Sequence, residues 1–101
     1  MSLVTNVIFK VACGDEDKIV KLNGLFKSGV EFKSCDDVEG GGWYAGSRRL
    51  ECYIYPGAFN YLVMEDLVDA INKIEWEYPE CVQLLAQGQE DDKFEDIKLK
   101  V

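Results

Sequence analysis

The chain has no histidine at all, and only two prolines and two arginines among its 101 residues. Without an imidazole, a serine or cysteine nucleophile lacks its usual general base, and the commonest nitrogen ligand for a metal is gone as well. No apolar run approaches the roughly 18–20 residues that a membrane span requires. The opening MSLVTNVIFK also lacks the basic stretch and apolar core of a signal peptide, so a cytoplasmic location away from membranes is expected. Cysteines occur at positions 13, 35, 52 and 81, with no C-x-x-C pair among them. Structural zinc usually draws its ligands in close pairs, so buried or half-buried free thiols are expected, with no metal and no cofactor.

Positive charge is also scarce, and unevenly so. The net charge is −8, from 19 acids against 11 bases. Residues 1–47 carry five lysines against seven acids, whereas residues 50–97 carry only Lys73 and Lys93 against twelve. A field of that sign repels phosphate backbones and favours basic protein surfaces, so a protein partner is expected and nucleic acid is not. The plainer interpretation of the same charges is a solvated surface that keeps a small protein soluble.

What is present describes one domain, residues 1–101, long enough for a single modest core. Residues 3–12 alternate as a strand, with Leu3, Val7, Phe9 and Val11 on one face and Asn6 and Lys10 beside Val4 and Ile8 on the other. Residues 15–27 suit a helix capped by Asp15, with Ile19, Leu22 and Phe26 on one side. The Asn23-Gly24 pair between apolar residues is also a hairpin signal, which leaves a second reading open. Residues 30–35 have strand character, with Val30, Phe32 and Ser34 sharing a side. Over 48–57, Leu50, Cys52 and Ile54 alternate with Arg49, Glu51, Tyr53 and Tyr55, and Pro56-Gly57 reads as the stop. Residues 60–74 form the clearest helix, with Asn60 as cap and a stripe of Val63, Leu67, Ala70, Ile71 and Ile74. Residues 81–89 and 93–101 read as two further strands around an Asp-rich turn, the last alternating Ile97, Leu99 and Val101.

This order predicts an α+β fold, an antiparallel sheet with two helices packed on one face. Without the final strand it is the ferredoxin-like β-α-β-β-α-β pattern. If residues 18–33 form a hairpin instead, the expectation becomes a mainly β sheet covered by the helix at 60–74.

Three stretches are candidate sites. The first, EGGGWYAGSRR at 39–49, holds Gly41 and Gly46-Ser47 at the spacing of a phosphate-binding P-loop. It lacks the lysine that would reach the phosphates, and it leads into a strand rather than a helix N-terminus. What it offers is an aromatic pair, Trp43 and Tyr44, beside the chain's two arginines, Arg48 and Arg49, residue types that suit interfaces and anion contacts. The second, EWEYPE at 75–80, interleaves Trp76 and Tyr78 with glutamates, which suits either a docking surface or a core-capping tryptophan. The third places Glu90, Asp91, Asp92, Glu95 and Asp96 around the last turn, without the spacing of an EF-hand calcium loop. A solvated turn guarding an edge strand is the plainer reading, a weak divalent-ion site a second, and a docking surface for a basic partner groove the third.

Cys13 precedes Asp15, Glu16 and Asp17, acids that disfavour a thiolate nucleophile, so catalysis has little support. The leading expectation is therefore a small, acidic, non-enzymatic protein-binding module. Its specific form is an inhibitor or immunity-type protein that docks on a basic partner surface. A small-molecule or anion-binding domain using loop 39–49 is the second expectation. A subunit that associates through a sheet edge, as in a homodimer, is the third.

Overall fold

The structure, a computed structural model, describes residues 4–26, 32, 34 and 51–101. Four strands form one antiparallel sheet: β1 (Val4–Ala12), β2 (Cys52–Asn60), β3 (Gln83–Gln87) and β4 (Glu95–Ile97). Their spatial order is β2-β1-β3-β4, and helices α1 (Ile19–Leu25) and α2 (Met64–Asn72) complete an α+β domain. Among the described residues, no helix is long and apolar enough to cross a membrane.

The alternation in β1 determines which face of the sheet is buried. Val7, Phe9 and Val11 are buried, and the register sets Phe9 between Tyr55 of β2 and Leu84 of β3, with Ile97 of β4 beyond. Ile19, Leu22 and Phe26 cover this face from the α1 side, and Leu67, Ala70, Ile71 and Ile74 from the α2 side, in one continuous core. Both helices therefore lie on the same side of the sheet. Aromatic rings fill the space between: Phe9 lies 5.7 Å from Trp76, 6.2 Å from Phe32 and 6.4 Å from Tyr55, centroid to centroid. Such tilted contacts add to the area that each ring removes from water.

The hairpin alternative at 18–33 is excluded, because Asn23 and Gly24 lie inside α1. Asn23 acts through its side chain instead. Its Oδ1 accepts the Phe32 N–H at 2.8 Å, and its Nδ2 donates to the Phe32 carbonyl at 3.3 Å. The side-chain amide thus satisfies both backbone groups of Phe32 and seats its ring in the core. Most of the strand expected at 30–35 lies outside the described residues, although Phe32 and Ser34 are both buried. With β1 flanked by β2 and β3, all antiparallel, the topology is compatible with the ferredoxin-like order.

Several boundaries differ from those expected. Strand β2 runs through Pro56-Gly57 as far as Asn60. It lies at the edge of the described strands, where a proline's missing N–H is tolerated. Gly57 leaves room for the Phe59 ring, which would stand 2.8 Å from a Cβ placed there. The buried positions of β2 are Tyr55 and Phe59, whereas Cys52 and Ile54 are half-buried on the opposite face. The α2 helix begins four residues beyond Asn60, after Tyr61 has turned the chain in a left-handed conformation (φ 54°), and Val63 is 55% exposed. Strand β4 stops at Ile97. The Lys100 N–H then donates to Asn72 Oδ1 at 2.8 Å, tying the tail to the end of α2.

Candidate functional site

The candidate residues fall into three groups with different fates. Trp43, Tyr44, Arg48 and Arg49, with the rest of loop 39–49, lie outside the described residues. Trp76 does not join a surface: it is 7% exposed, and its indole N–H donates to the Ile71 carbonyl at 3.0 Å. A buried tryptophan with its one polar atom satisfied belongs to the core, so the proposed aromatic anchor at 76 is withdrawn. Tyr78, two residues on, is 40% exposed, and its ring passes over Gly14.

Tyr78 is held by a residue that its own sequence neighbourhood does not suggest. Asp15 stands at the N-cap of the 3-10 turn Glu16–Lys18 that leads into α1, but its side chain makes no cap bond there. Its fully buried carboxylate reaches across to the segment that links α2 to β3. Oδ1 accepts the Glu77 N–H at 2.9 Å, Oδ2 accepts the Tyr78 N–H at 3.0 Å, and Lys18 Nζ lies 2.7 Å from Oδ1. Burial alone raises the pKa of Asp15. The Lys18 hydrogen bond, the two backbone N–H groups and the Lys18 charge outweigh it, so the carboxyl lies below its ordinary value. The geometry describes a clamp between the β1–α1 turn and residues 77–78.

The third group is the connection from β3 to β4. Here Asp91 is a structural residue: its Oδ2 accepts the Gly88 N–H at 3.0 Å, and its own N–H donates to the Gly88 carbonyl at 3.1 Å. The turn is further held by Gln87, whose Nε2 donates to the Asp91 carbonyl, and by Gln89, whose Oε1 accepts the Val4 N–H. On this braced turn every residue from Gln89 to Asp96 is exposed. Glu90, Asp92, Glu95 and Asp96 form no ion pair with a described residue. Between them stands Phe94, a phenyl ring 41% exposed to water.

Phe94 was not singled out in the sequence, although a signal was there. The alternation that turns Ile97 and Leu99 toward the core assigns position 94 to the opposite parity. The result is an exposed apolar ring flanked in sequence by four carboxylates that form no ion pair with a described residue.

Other features offer less. A cavity of about 640 Å³ opens where residues 98–101 part from β3. Lys10 and Lys98 line it together with Glu80 and Asp96, so it favours neither sign of ligand charge. Cys13, Cys52 and Cys81 are free thiols; Cys13 is exposed rather than buried, with its Sγ 3.4 Å from the Glu51 carbonyl. Among the described residues no three acidic or thiol groups converge as a metal site. Comparison with known protein families, with curated proteins and with solved structures finds no match to this chain.

Proposed function

We infer that this protein is a small acidic binding module that acts by contacting another protein through the β3–β4 turn. The observation that carries this reading is the exposed Phe94 framed by Glu90, Asp92, Glu95 and Asp96. The acids supply long-range steering toward a positive surface, and the ring supplies contact area that gains free energy once water is excluded. Tyr78 is a second exposed aromatic, and the Asp15 clamp fixes the backbone that carries it. A partner suited to this surface is basic. The specific form of the proposal is an inhibitor or immunity-type protein that covers a basic, nucleic-acid-binding face of its target.

The test compares affinity captures from the native host using the wild-type chain and a variant carrying E90Q, D92N, F94A, E95Q and D96N. A partner retained by the wild type at low salt, and lost both at high salt and with the variant, supports the reading. Equal capture by both proteins would refute it.

A further inference from the structure

Strand β4 is three residues long, pairs with β3 on one side, and is the last of the described strands on the other. In an antiparallel strand, residues that bond to the neighbour alternate with residues whose N–H and C=O point away from it. The outer edge of β4 therefore presents backbone donors and acceptors, no other described strand pairs with it, and Phe94, Glu95 and Asp96 beside it are exposed. We propose that this edge binds an extended basic segment of a partner protein as an additional antiparallel strand. This deepens the protein-binding reading and rests on it.

The register specifies what that segment must carry. Ile97 ends the inward row Tyr55–Phe9–Leu84–Ile97, so the residue opposite it is apolar and lengthens that row. Residues opposite Asp96 and Glu95 are basic, because opposite charges across a ladder are favourable and like charges are not. The residue facing Phe94 is an arginine, whose guanidinium can lie on the exposed ring. Written from its N-terminus, the complementary segment is apolar-basic-basic-Arg. A second copy of this chain is the wrong occupant. Two-fold pairing of β4 with itself sets Asp96 beside Asp96 and brings two surfaces of strongly negative chains together. Main-chain bonds supply affinity in strand addition, and the alternating side chains supply selectivity.

The probe is a short capped peptide with Val-Lys-Lys-Arg at its centre, titrated into the isotopically labelled chain at low salt. Two further versions are N-methylated at alternate positions, so that in one the ladder N–H groups are removed and in the other only outward-facing ones. The expected result is that one methylated peptide binds like the parent while the other binds about tenfold more weakly. Amide shifts should concentrate at residues 94–97. Equal binding by both methylated peptides would overturn strand addition while leaving charge-guided docking intact. Failure of the parent peptide to bind would also overturn it, and the host capture described above then judges the docking reading separately.

Discussion

Replacing Asp15 with alanine removes the acceptor for two backbone N–H groups and the partner of one ammonium, all in a single change. Glu77 and Tyr78 lose bonds of 2.9 and 3.0 Å to a carboxylate whose side chain is fully buried. Lys18 is 27% exposed and can turn into solvent, so its loss contributes little. The two amides are part-buried and recover some water, which places the cost below that of a sealed ion pair. Each charge-assisted bond left unmade costs of the order of 1.5–3 kcal/mol at most, so D15A should destabilise by about 2–4 kcal/mol. Urea unfolding followed by circular dichroism measures this directly. K18A should cost much less, which separates the backbone clamp from the ion pair. The pH dependence has a definite sign. The folded-state pKa of Asp15 lies below the ordinary 3.8, so its contribution is present above that value and is lost as pH falls through the folded pKa. D15N should therefore flatten the stability curve in the acid range and leave it low at neutral pH. A D15A variant within about 0.5 kcal/mol of wild type would refute the clamp.

Three further outcomes are expected. G57A places a Cβ 2.8 Å from Phe59 Cε2, and that ring is held by Phe26 at 5.9 Å and Phe32 at 5.5 Å, so overpacking should cost about 1–3 kcal/mol in the same urea assay. N23A leaves both backbone groups of Phe32 without the side-chain amide, at about 1–2 kcal/mol, with faster amide exchange at Phe32 as the direct readout. Among the thiols of the described residues, exposed Cys13 should react with a disulfide reagent before half-buried Cys52 and Cys81.

Much of the architecture was legible where one periodicity dominated. Strand β1 and the stripe Leu67, Ala70 and Ile71 of α2, with Ile74 just past its end, repeat at unambiguous spacings, and the structure buries those residues. Strand β2 misled because tyrosine is amphipathic: Tyr55 could sit on either face, and tertiary contact with Phe9 decided it. Its Pro56-Gly57 pair imitates a stop, yet the strand continues, with an aromatic ring over the glycine and with β2 at the edge of the described strands. The partners of Asp15 lie 62 and 63 positions away, so no local pattern could separate a buried clamp from a helix cap. In the candidate surface the acids were visible as composition. The role of Asp91 as the brace of the turn, and the exposure of Phe94, depend on how the turn closes on Gly88 and on Val4.

The most direct test of the binding account is the salt dependence of affinity for the captured partner, measured for the wild type and for the variant with Glu90, Asp92, Glu95 and Asp96 neutralised. The account predicts that wild-type affinity falls steeply as salt rises, and that the variant binds more weakly with a markedly shallower slope. A wild-type affinity indifferent to salt, or a slope that the four substitutions leave unchanged, would contradict it.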